Sequence, residues 1–321
     1  IFSNYSYGKE FQKLFEITMP MNQVSNIDVA IGKSFNDLIF RLTGSNNPTN
    51  IKKIAPSLKT KKDFLISYEP ININDKPYLI TKFDKDSLIE KLESLQMAII
   101  GYNRPTIMVL MKIEDGNKPP YFLNTSSNSP LDNKIKIILE EVSNQRGIFF
   151  ELPVFDLEDI NQLKTLTILD SEKEIILSNY EYDFALDLNL SQSSINQWII
   201  LGDYKSKNKL SLKLTLENLK TSVNSLTDKY LSNFIISDSK TSIEVIANNI
   251  FSYNDLITLQ DSMQRLISIK TSKIESYVDN SITYSLIING DINSFKKEIR
   301  ANPNLQLIES NDNVIFGLIT N

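Results

Sequence analysis

The residues best placed to do chemistry are the acids Asp156, Glu158 and Asp159. They follow the apolar run Ile148–Val154, which reads as a parallel strand. Ligands of open α/β sheets collect beyond the carboxyl ends of such strands, and carboxylate oxygens there suit Mg²⁺ or Ca²⁺. The plainer reading is a solvated loop in which Asp156 or Asp159 caps a helix. Arg104 stands just before a second apolar run, Thr106–Met111, and is a candidate for pairing with a carboxylate or phosphate. Its plainer role is a structural ion pair, or apolar cover by its stem. Asp183, Asp187 and Asn189 alternate on one strand face. Two acids about 5–10 Å apart are the equipment of a glycosidase, and the polar outer face of an antiparallel sheet explains them equally well. Trp198, among Ile199 and Ile200, is either a binding aromatic or a packed one.

Two absences narrow the chemistry. The 321 residues include no histidine and no cysteine, so there is no Ser-His triad, no thiolate nucleophile and no His- or Cys-ligated metal. No G-x-G-x-x-G or P-loop sequence occurs. No catalytic residue, cofactor or metal ligand is therefore assigned. Asp156, Glu158, Asp159 and Arg104 stand only as a candidate ligand or partner surface. The net charge of −5 offers no basic patch for nucleic acid. No run approaches the roughly 20 apolar residues of a membrane span.

The elements that must position these residues centre on Arg104–Asp159. Leu131, Ile135, Ile138, Leu139 and Val142 share one helical face, with Pro130 in the first turn and Arg146-Gly147 at the end. Arg146 complements the helix dipole there. Strand, crossover helix and strand imply a parallel pair. A meander follows, with strands at Phe184–Leu190, Trp198–Leu201 and Leu210–Leu214, and then a helix from Leu216. Before this unit the order is β-α-β-β-α. An edge strand lies at Glu16–Asn22, and Asn26 caps a helix closed by Gly44. A short helix lies at Ile51–Leu58 and a hairpin at Phe64–Phe83. Ser87 and Glu90 form a capping box for the next helix. The tail repeats the order, with turns at Asp279-Asn280 and Asn311–Asn313. The expected fold is α+β in three small domains: residues 1–102, ferredoxin-like in order; 103–235, with a parallel β-α-β start and an antiparallel meander; and 236–321, ferredoxin-like. The two ends are expected to be structurally similar.

Several stretches carry a resemblance. Phe64-Leu-Ile-Ser-Tyr-Glu69, Tyr78-Leu-Ile-Thr-Lys-Phe-Asp84, Asn103-Arg-Pro105 and Arg146-Gly-Ile-Phe-Phe-Glu-Leu-Pro-Val-Phe-Asp-Leu-Glu-Asp159 follow one another as in the proteobacterial domain-of-unknown-function 2066 family. The helix ending Arg41-Leu-Thr-Gly44 also fits it. The resemblance implies a removed secretion signal and a periplasmic home, and it assigns no catalytic residue. The middle region's element order is similar to the N-terminal domain of TolB and to envelope proteins of the curli-secretion type. The expectation is a non-enzymatic envelope accessory protein that binds a protein partner or a cell-wall component. The alternatives are a carboxylate- or metal-dependent enzyme on a glycan or phosphoester, and a small-ligand binding protein.

Overall fold

The protein is described by a computed structural model covering residues 8–73, 75–116, 119–156, 172–237, 239–308 and 314–319. It is mixed α+β. Two compact units divide it: residues 105–144 with 148–230, and residues 8–104 with 145–147 and 231–319.

In chain order, β1 (Lys9–Glu10) and β2 (Glu16–Pro20) precede α1 (Ile27–Thr43). The side chain of Asn26 caps α1 by accepting from Val29 N at 2.9 Å, and Gly44 closes it at φ 67°, as expected. Helix α2 is Pro48–Ile54. It starts earlier than the expected 51, because Asn47 caps it and Pro48 supplies its first turn. The hairpin β3 (Leu65–Ile73) and β4 (Lys76–Phe83) leads to α3 (Lys85–Ser94). The cap of α3 is Asp84, accepting from Ser87 N, and not the expected Ser87–Glu90 box. A carboxylate one turn earlier reaches the free amide first.

Short strands β5 (Ile99–Ile100) and β6 (Asn103–Arg104) then lead to β7 (Thr106–Glu114), buried over its first six residues. Next come β8 (Tyr121–Phe122), α4 (Pro130–Arg146), β9 (Phe149–Glu151) and α5 (Glu172–Ser178). β10 (Phe184–Ser194) and β11 (Gln197–Gly202) follow, then α6 (Leu212–Leu231). The expected third meander strand is absent at its place. Leu210 makes one isolated bridge to Trp198, and Leu212–Leu214 begin α6. Burial at Thr215, Leu216, Leu219, Ser222 and Val223 repeats every three or four residues, so the helical period wins over the alternation of the leucines. The tail holds β12 (Ile235–Ile236), β13 (Lys240–Asn248), α7 (Tyr253–Gln264), β14 (Ile269–Val278), β15 (Ser281–Asn289), α8 (Ile292–Ala301), β16 (Leu305–Ile308) and β17 (Val314–Leu318). Ser252 and Asp255 form a capping box on α7. Asp279 and Asn280, both at positive φ, turn the β14–β15 hairpin as expected. The expected turn at 311–313 lies outside the described residues.

In the first unit the sheet order is β11-β10-β7-β8, with β9 also on β7. The pair β7–β9 is parallel, as the crossover helix implied, and β10 also runs parallel to β7, a pairing the sequence did not announce. The second unit holds two larger sheets. One has the order β2-β4-β3, and the other β14-β15-β13-β17-β16. In the second, β17 runs parallel to β13, and β16, which directly follows α8, lies outermost. Phe35, Leu38 and Leu42 of α1 pack with Ile17, Phe83, Leu88 and Leu92, and also with Ile236 and Ile267 from the tail. A separate apolar core, including Val245, Leu286, Phe295 and Phe316, lies under the tail's sheet.

Candidate functional site

Of the expected acidic cluster, Asp156 is exposed just after β9, and Glu158 and Asp159 lie outside the described residues. Among the described residues no three acidic, histidine or cysteine side chains converge as metal ligands would. Asp183 and Asp187 are each engaged: Asp183 Oδ2 accepts from Thr106 N at 2.8 Å, and Asp187 pairs with Lys173. Trp198 is buried, in keeping with the packed reading.

Arg104 is placed in the interior, with no exposed surface. It donates to the carbonyls of Gly101 at 2.7 Å, Arg41 at 2.9 Å and Ile100 at 3.0 Å. Two further arginines, Arg41 and Arg146, are also buried and close enough to act on it electrostatically. Arg41 donates to the carbonyls of Lys13, Leu14 and Glu16, and more weakly to that of Gln145 at 3.3 Å. Arg146 Nη2 reaches the carbonyl of Gly44 at 2.9 Å. Arg104 and Arg146 thus serve carbonyls at the end of α1, where a cation suits the helix dipole. Burial pulls the Arg104 pKa well below its ordinary value, and its two arginine neighbours add to that. Burial takes Arg41 down to about 10, against the pull of Asp37 and Glu16. This cluster braces backbone, and it offers nothing to a ligand from solvent.

A second polar group sits where the tail meets the N-terminal part of the same unit. Glu298 on α8 is 7% exposed, and its Oε2 accepts from Ser268 N and Oγ. Burial lifts its carboxyl to about 7, opposed by the Ser268 and Ile267 hydrogen bonds and by Lys85. Glu298, Asn103, Glu10, Tyr102, Arg265 and Asn302 line one small recess. The Glu10 side chain is 5% exposed and pairs with Arg265. Burial raises the Tyr102 phenol to about 12, so it stays protonated. Sequence reasoning passed over Glu298, because Lys296-Lys-Glu298 reads as a solvated helical charge run. Its only local signal is the spacing to Phe295 and Ile299, which turns it toward the buried face.

The outward-facing candidate is a sheet edge. β14 has β15 as its sole sheet neighbour among the described residues, and it is exposed from Lys270 to Val278. Ile274 (51%), Tyr277 (57%) and Val278 (61%) present apolar surface along it. β3 is the corresponding edge of the smaller sheet, with Ile66 and Tyr68 exposed. Pro70 removes one amide donor from that edge. An edge strand with unpaired backbone groups is a template for a further strand.

Compared with known proteins, the chain matches no family model, no curated protein and no solved structure.

Proposed function

We propose that the protein is a non-enzymatic accessory factor that captures an extended segment of a protein partner along the outer edge of β14. The observation that carries this is the exposure of a strand of ten residues that contains no proline and bears Ile274, Tyr277 and Val278. Backbone pairing along such an edge supplies affinity, and alternate side chains supply selectivity. Two β-bulges and the lysines Lys270 and Lys273 discourage pairing between copies of the chain, so the edge is guarded against itself. The resemblance to a secreted proteobacterial family supports a periplasmic, envelope setting. We also read the two ends as elaborations of the ferredoxin-like order.

The test is site-specific photocrosslinking in cells, with the probe at Ile274 or at Ile66. One partner protein crosslinked from position 274, and lost when Ile274→Lys is combined with a probe at Val278, is the expected result. Equal crosslinking from both positions, or a product insensitive to Ile274→Lys, would remove β14 as the site.

A further inference from the structure

We propose that the lysine-rich bend running from α2 toward β3 docks the protein on an anionic lipid surface. The net charge of −5 conceals a local excess of the opposite sign. Lys52, Lys53, Lys59, Lys61 and Lys62 fall within eleven residues, and no acid stands between Asp37 and Asp63. The fold turns all five outward. Ile54 is fully buried, Ile51 and Leu58 pack into the same core as α1, and each lysine of the stretch is exposed. The bend is also held in place. Asp63 accepts from Lys59 N at 2.7 Å and Thr60 N at 3.1 Å, which turns its carboxylate back onto the backbone. Lys61 Nζ donates to Asn36 Oδ1 at 2.9 Å and Lys62 Nζ to Asp28 Oδ1 at 2.7 Å, which lays the bend against α1. Among the described residues, Asp28 is the one acid that forms an ion pair with any of the five. Lys52, Lys53 and Lys59 keep their charge for an outside partner.

Residue type selects the partner. Arginine reads a fixed phosphate or carboxylate through two bonds, whereas lysine is a point charge on a flexible stem. Five lysines and no exposed arginine suit a surface of mobile anionic headgroups. Single-stranded nucleic acid is held on aromatic platforms, and the ring that follows the bend, Phe64, is stacked on Phe35 at 6.3 Å. Apolar side chains are at hand instead. Ile27 (39%) and Val29 (40%) are exposed on either side of Asp28, beside Lys62. Basic residues flanking shallow apolar ones are what the headgroup boundary accepts. The bend shares no residue with the β14 edge, so its role is independent of partner capture there.

The experiment uses the full chain in co-sedimentation with vesicles of mixed phosphatidylglycerol and phosphatidylcholine, and with vesicles of phosphatidylcholine alone. Binding to the first and not the second at about 0.05 M salt, lost at about 0.5 M, is the expected result. Each lysine near such a surface strengthens binding about fivefold, so Lys52→Gln, Lys53→Gln and Lys59→Gln combined should weaken it about a hundredfold. The control changes net charge equally at exposed lysines of the other unit, Lys205→Gln, Lys207→Gln and Lys209→Gln. Screening should keep its loss below about threefold. No binding to either vesicle, equal binding to both, or equal losses from the two triple variants would overturn the proposal. So would tighter binding to duplex DNA or to polyglutamate than to the anionic vesicles, which would make the bend a nucleic-acid or acidic-protein contact. The vesicle comparison on the wild-type chain decides the matter even if a variant does not fold.

Discussion

Two stretches of the second unit share an order of paired strands, and they differ in what borders the first strand. In the N-terminal stretch the elements run β2, α1, β3, β4 and α3, with the short α2 inserted between α1 and β3, and the sheet order is β2-β4-β3. In the C-terminal stretch the elements run β13, α7, β14, β15 and α8, with β13-β15-β14. Both sets of pairs are antiparallel. Each second strand is bulged near its start, between Leu65 and Ser67 and between Ile269 and Thr271. The difference lies beyond the first strand. Beside β13 runs β17, which pairs with its backbone. At β2 the carbonyls of Lys13, Leu14 and Glu16 are met by the guanidinium of Arg41. Every buried backbone carbonyl needs a donor, and these two stretches find theirs in different places. One uses a strand, and the other uses a buried arginine.

If Arg41 stands in for a strand, its loss should rank among the largest effects of any single change. Arg41→Met keeps the stem's volume but leaves the carbonyls of Lys13, Leu14 and Glu16 without their donor. A loss on the order of 4 kcal/mol is expected, read from the urea midpoint. A loss under about 1 kcal/mol would break the comparison, because water would then be serving those carbonyls. The matched core positions come next. Leu88 and Phe295 each fall four residues after the capping aspartate, and both are fully buried. Truncation to alanine should cost about 2–5 kcal/mol for Leu88 and about 3–5 kcal/mol for Phe295. Ile236 and Ile267 pack into the N-terminal core, so each variant should lower one shared transition. Two separated transitions would show that the stretches unfold independently.

Glu298 gives the pair an asymmetry with pH. Its carboxyl titrates at about 7 instead of 4.5, so the folded state holds a proton that the unfolded state has released. Stability from this group is therefore greatest below about pH 4.5 and falls as pH rises to about 7, by up to about 3 kcal/mol. The matched position on α3 is Lys91, which carries no such burden. Glu298→Gln should flatten the decline between those pH values when unfolding is followed by circular dichroism. An unchanged slope would mean that Glu298 is ionised throughout in the folded chain.

Much of this architecture was readable locally. Asn26, Gly44, Pro130 and Gly147 announced helix ends by their own chemistry, and Thr106–Met111 announced a doubly buried strand by its unbroken apolar run. The bulges and the exposure of β14 were not readable, because strand alternation says which residues share a face and not whether that face is covered. The candidate sites were least legible. Arg104 attracted notice as a charge before a strand, but its three acceptors are main-chain carbonyls, which leave no mark in side-chain identity. The meeting of Glu10, Asn103 and Glu298 joins positions nearly 300 residues apart, and no local period records such a contact. Asp156 was legible as an acid in a loop, and its exposure adds nothing to select a ligand.

The smallest expected effect is also the strictest test of the likeness between the two stretches. Asp84 accepts from Ser87 N at 2.8 Å, and Asp291 accepts from Ser294 N at 2.7 Å. Each cap opens a ten-residue helix, and each lies at the surface. The same donor offset, charge and position on the helix dipole predict equal penalties, about 1 kcal/mol for Asp84→Ala and for Asp291→Ala. The two caps share no partner, so the double variant should lose the sum. Equal and additive losses would mean that the two stretches share their local energetics, with what borders the first strand as their main difference. A markedly larger loss at Asp291 would place the added cost in the surroundings of α8, where Glu298 is held by Ser268, and would tie that helix to the buried acid two turns along.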